Sequence, residues 1–116
     1  MKIFNQSKDT LIADQAKLAD TFVSRMVGLL NRSAIQESEA LIITRCNSIH
    51  MFFMRFAIDA VFVDSENQVV GIVENIKPYR LSPIFWKAQC CIELPTGSIQ
   101  KSRISVGDKL KIDKTI

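Results

Sequence analysis

The chain is predicted to fold as one β-rich α+β domain, an antiparallel sandwich or open-barrel-like sheet with a single packed helix. Three observations carry this. Short apolar segments recur between turn residues. One stretch, residues 20–31, switches to helical period. The length of 116 residues suffices for one core and is too short for two, so residues 1–116 form a single domain.

Taken in order, residues 1–5 and 10–19 read as two strands around a polar turn at 6–9. In residues 20–31, Phe22, Met26, Leu29 and Leu30 share one helical face, with Asp20 or Thr21 as N-cap and Asn31 at the C-terminal end. Gly28 inside that pattern costs about 1 kcal/mol against alanine, which suggests close approach of another backbone. Residues 40–46 form a strand whose unbroken apolar run suggests burial on both faces. Residues 58–64 form a central strand, with 68–76 as its hairpin partner across Ser65, Glu66 and Asn67. Asn67 suits the positive φ that such a loop requires. Pro78 and Pro83 make residues 77–87 a loop or edge segment. Strand 89–94 turns Cys90, Ile92 and Leu94 one way and Cys91 and Glu93 the other. A helical turn at 98–103 and a last strand at 106–112, with Val106, Leu110 and Ile112 inward, complete the chain.

Composition narrows the class. Hydrophobic content of 47% and charged content of 23% are those of an ordinary globular protein. No uncharged run approaches the roughly 20 residues of a membrane helix. The N-terminus lacks an apolar signal segment, so a cytoplasmic location is expected. Three cysteines, an odd number, fit free thiols in a reducing compartment better than a disulfide framework. A net charge of +3 is mild, and Lys101, Arg103, Lys109, Lys111 and Lys114 read as a solvated strand face. Nucleic acid is therefore not the expected partner.

The candidate site lies in residues 46–64, CNSIHMFFMRFAIDAVFVD, the most apolar stretch and the carrier of the only histidine. Cys46 and His50 would share one face of an extended segment, with Ser48 between them. A thiol beside an imidazole is the pattern of an activated nucleophile, although no third, orienting residue accompanies it. The plainer reading is a packed cysteine and a core histidine. A metal site from Cys46, His50 and Cys90 or Cys91 falls short. Zinc takes four ligands, and adjacent Cys90 and Cys91 face opposite ways on a strand. No metal and no cofactor is expected. Asp59, in an apolar setting, needs a partner. Arg55 is nearest, with Arg25, Arg45 and Arg80 as rivals, or main-chain N–H groups serve instead. An arginine so placed could also present a fork to a ligand carboxylate or phosphate. Phe52, Phe53, Met54 and Phe56, with Tyr79, Phe85 and Trp86, supply core and enough surplus to line a groove.

Four markers, RMVGLL at 25–30, the central run at 46–64, ELPTG at 93–97 and VGD at 106–108, resemble the small bacterial and archaeal family known as domain of unknown function 192. The likeness extends from Thr10 to Leu110. It implies a sandwich-like β-rich fold with one helix and no established activity. Ala57 departs from the proline frequent at that place.

The expected function is a non-catalytic module holding a small ligand or peptide in a cleft near His50 and Arg55. Phe52, Met54, Asp59, Arg25 and Trp86 would complete that cleft. Two alternatives stand beside it: an enzyme using a Cys46–His50 pair, and a structural or assembly protein presenting the 79–86 surface.

Overall fold

The computed structural model describes residues 1–21, 29, 32–51 and 54–114. The strands are β1 (Lys2–Asn5), β2 (Thr10–Ala13), β3 (Gln15–Ala19), β4 (Glu39–Thr44), β5 (Ile58–Val63), β6 (Val69–Ile76), β7 (Cys90–Leu94) and β8 (Leu110–Asp113), with helix α1 (Ser98–Lys101) between the last two. They form a three-stranded sheet, β2-β1-β8, and a five-stranded sheet, β3-β4-β7-β5-β6. The β-rich fold with two sheets is thus established, and the pairings are antiparallel except β3 with β4. A parallel pair needs a crossover, here residues 20–38. The predicted helix 20–31 falls in that crossover and, apart from residues 20, 21 and 29, lies outside the described residues.

The expected single strand over 10–19 is two. Asp14 breaks it, so β2 joins the small sheet and β3 the large one. The Ser38 carbonyl accepts both Asp14 N–H (3.2 Å) and Gln15 N–H (3.0 Å), outside either ladder. Alternation alone does not reveal such a corner, because it does not say which sheet a strand joins. The last strand also starts later than expected. Val106 is 60% exposed in a turn that Gly107 makes at φ 98°, a conformation other residues rarely take.

The five-stranded sheet is buried on both faces, which explains why every residue of β5 is buried. Val61, Val63, Ile92 and Leu94 meet Ile3, Ile12 and Leu110 of the small sheet in one core. Ile58, Ala60, Phe62 and Cys91 pack on the other face beneath Ile49, Met51, Met54 and Ala88. Asn67 closes the β5–β6 hairpin at φ 62°, as expected, and the Asp64 carboxylate accepts the N–H groups of Glu66 and Gln68.

One aromatic anchors the second cover. The Phe85 ring lies 4.6 Å from that of Phe62, centroid to centroid. A Cβ on Gly71 would stand 2.2 Å from a Phe85 ring carbon. Gly71 is therefore kept small by the ring stacked on it. Gly71→Ala is expected to lose about 2 kcal/mol by displacing Phe85. A urea midpoint indistinguishable from that of the parent chain would contradict this packing.

Candidate functional site

Residues 47–51 and 79–85 run side by side as an irregular antiparallel ribbon over the large sheet. Met51 N–H donates to the Arg80 carbonyl (2.8 Å) and Tyr79 N–H to that of Met51 (2.7 Å). Ser82 N–H donates to the Ile49 carbonyl (2.9 Å) and Phe85 N–H to that of Asn47 (2.8 Å). The buried Ser82 hydroxyl accepts Ile49 N–H at 2.8 Å and donates to the Pro83 carbonyl at 2.9 Å. Prolines at 78 and 83 remove donors that a regular ladder would need, and Tyr79 takes a positive φ of 66°. The ribbon is pinned where these residues allow it.

Strand alternation sorts its side chains. Ile49 and Met51 turn into the core, while His50 and Leu81, paired across a bridge, stay exposed. Around them Trp86 is 80% exposed, Leu81 67%, Tyr79 62% and Ile84 50%. Four of the seven exposed large apolar residues among those described thus fall in residues 79–86. Isolated exposed apolar residues are ordinary, but a cluster marks an interaction site. Val70, Phe85, Trp86 and Lys87 line a shallow hollow of about 280 Å³ beside it.

The charge here is one-sided. Residues 46–58 and 77–92 carry four of the fifteen Lys and Arg and none of the twelve Asp and Glu. All four, Arg55, Lys77, Arg80 and Lys87, are exposed, as is His50.

Asp59 is not part of this face. It is buried on β5, and its two carboxylate oxygens accept main-chain donors: Asn75 N–H at 2.8 Å and Ile99 N–H at 3.0 Å. The first holds a β6 residue with a φ of 51° beside an irregularity in the β5–β6 register. The second caps α1, whose N-cap Gly97 has no side chain to offer. Among the described residues no ion pair joins Asp59 to an arginine. Met54 is buried in the second core. Arg25 and Phe52 lie outside the described residues. Of the seven expected site residues, the structure leaves His50, Arg55 and Trp86 exposed and gives Asp59 and Met54 interior roles.

Asp108 of the VGD marker is structural in the same sense. It accepts Asn5 Nδ2, Lys8 Nζ and Ser105 N–H, each at 2.9 Å. Burial opposes ionisation there, yet these donors outweigh it and hold the carboxyl below its ordinary range.

Cys46 lies near two groups that share one face of β7, Cys91 and Glu93. Its thiol donates to the Ser48 carbonyl (3.1 Å) and lies close to that of Cys91. Burial, with Cys46 nearby, pushes the Glu93 carboxyl from an ordinary 4.5 up to about 7. Glu93 was legible as a neighbour of Cys91 by alternation, but nothing in the sequence marked it as buried. Burial also pushes the Cys91 thiol well up, with Cys46 and Glu93 adding to it, and raises that of Cys90. None of the three cysteines forms a disulfide. Iodoacetamide is expected to leave Cys91 unmodified until the protein unfolds, since the reactive species is the thiolate. Peptide mass mapping would refute this if native Cys91 were alkylated as fast as a free thiol. No group of three His, Cys, Asp or Glu among the described residues is placed to hold a metal. No helix among them is long and apolar enough to cross a membrane.

Such a molecule is a two-sheet β-rich domain with a short helix and an apolar, basic outer ribbon. The chain belongs to the DUF192 family, described as an uncharacterized ACR, which it matches over residues 3–112. It is 35% identical over 115 residues to a UPF0127 protein of Pyrococcus horikoshii, covering 94% of this chain and 96% of that one. With a UPF0127 protein of Thermococcus sibiricus it shares 34% over 112 residues, 93% of this chain and 72% of the relative. Two crystal structures share the fold at 22% identity. A protein of unknown function from Novosphingobium aromaticivorans has a TM-score of 0.82 over 96% of this chain and 82% of its own. A putative transcription regulator from Sinorhizobium meliloti has 0.78 over 95% and 89%.

Proposed function

We propose that this domain is a non-catalytic binding module whose ligand, a small molecule or a peptide, sits on the ribbon face around His50 and Leu81. Arg55 and Trp86 belong to the same reading. The observation that carries it is the concentration of exposed Tyr79, Leu81, Ile84 and Trp86 on one pinned ribbon. A rigid support lowers the ordering cost of binding, which favours a preformed face over a mobile loop. Cys91, the buried cysteine beside Cys46, is ill suited to thiol catalysis. Burial and a neighbouring carboxyl keep Cys91 protonated, the opposite of an activated nucleophile.

Trp86 is the sole tryptophan, so its emission reports on this face directly. The test titrates the protein with defined aromatic carboxylic acids and short peptides, following that emission and the amide signals of residues 47–51 and 79–87. At least one probe class is expected to shift these signals and leave the β2-β1-β8 sheet unmoved. Leu81→Asp should weaken that binding about tenfold or more, the loss of one central apolar contact. Perturbations confined to another surface, or none at all, would overturn the proposal.

A further inference from the structure

Resting on that reading, we infer that the ribbon face takes a peptide segment in which acidic residues flank large apolar ones. Two independent features of the face point to this occupant. The first is its charge pattern. Lys77 and Lys87 bracket Tyr79, Leu81, Ile84 and Trp86 in sequence, Arg80 lies between Tyr79 and Leu81, and His50 comes from the facing segment, with exposed Arg55 following it in the chain. No acid interrupts residues 46–58 or 77–92, whereas the rest of the chain has eleven basic residues against twelve acidic. A partner complementary to this face carries its negative charges around an apolar centre.

The second feature is shape. The hollow lined by Val70, Phe85, Trp86 and Lys87, about 280 Å³, is apolar on its walls and has one cation in its lining. It suits a single large apolar side chain with an acid beside it. Phe85, stacked on Gly71 and Phe62, makes its floor rigid. A bilayer surface has no use for such a hollow. A single-stranded nucleic acid wants stacking platforms along a continuous cationic groove, and Leu81 and Ile84 offer aliphatic surface instead.

The test uses the full chain and three octapeptides that share one Leu and one Phe and differ only in having Glu, Gln or Lys at the flanking positions. Oligothymidylate and phosphatidylcholine–phosphatidylserine vesicles serve as other anionic probes. The Glu peptide is expected to bind about tenfold tighter than the Gln peptide, with the advantage shrinking at high salt. Arg80→Glu should abolish that advantage, and Trp86→Ala should weaken the Glu and Gln peptides alike. Trp86 is so exposed that its removal leaves the core intact. Equal binding of the Glu and Gln peptides, or preference for the Lys peptide, would overturn the inference and leave the binding reading standing. So would tighter binding of oligothymidylate or vesicles at the same residues. Concentration-dependent self-association, lost in Trp86→Ala, would assign the face to a second copy of the chain and likewise overturn the inference. If no probe perturbs the face and the chain stays monomeric, both ideas fall.

Discussion

Replacing Asp59 by alanine is expected to cost about 3 kcal/mol of stability. The carboxylate holds Asn75 N–H and Ile99 N–H, and removing it strands the second donor in a buried place and leaves the first, part-buried, without its partner. Each charge-assisted bond contributes about 1.5–3 kcal/mol and an orphaned buried donor costs a comparable amount, with the two overlapping rather than adding. Asp59→Asn should recover part of the loss, since one amide oxygen can still accept while the amide nitrogen faces the other donor. Urea unfolding would measure both. The pair also separates a structural Asp59 from a ligand-binding one. Where the variants remain folded, the response of Trp86 to the octapeptides should be unchanged. Wild-type stability in Asp59→Ala, or selective loss of peptide binding by a fully stable variant, would refute the clamp.

Glu93 should make the protein less stable as pH rises. Its folded pKa of about 7 lies above the ordinary 4.5, so between those values the folded chain keeps a proton that the unfolded chain releases. Stability from this group is therefore greatest below about pH 4.5, declines through the window and is lowest above about pH 7. The displacement corresponds to about 3 kcal/mol. Glu93→Gln removes the titration. It is expected to flatten this part of the profile and to raise stability at pH 8 by about 2 kcal/mol, because a neutral amide is easier to bury than a carboxylate. Thermal unfolding of both proteins at pH 4.5 and pH 8 would decide. A parent chain that gains stability over that interval relative to Glu93→Gln would reverse the sign and defeat the argument. A buried acid that destabilises its own fold at neutral pH is the kind of residue found near functional sites. Its neighbour Cys46 leads directly into the ribbon.

Much of the scaffold was readable from residue types alone. The hairpin at Asn67, the interior β5 and the opposed faces of β7 all follow from alternation and turn chemistry. The corner at Asp14 did not, because a period of two is blind to which sheet a strand joins. Val106 misled because an apolar residue before Gly-Asp looks like a strand start, whereas Gly107 and Asp108 build a turn. At the candidate site, the sequence marked a segment but not the directions of its side chains. His50, Arg55 and Asp59 stand close along the chain, yet two are exposed and the third is satisfied by main-chain groups forty residues away in one case. By residue type Tyr79 and Trp86 fit an aromatic core as well as a groove. Their exposure depends on the ribbon's tie to residues 47–51, a long-range pairing that no local pattern encodes.

The small sheet has a kinetic consequence. β1 pairs with β2 nearby and with β8 at the far end of the chain, Lys2 lying opposite Asp113. On the ribosome β1 must wait for β8, synthesised long after it, before its second edge is covered. Ile3, fully buried in the finished protein, stays without Leu110 and Ile112 until then. Closure of such distant contacts slows folding. The three-stranded sheet should be the last part of the molecule to assemble during translation, and its nascent β1–β2 hairpin the part most in need of protection from aggregation.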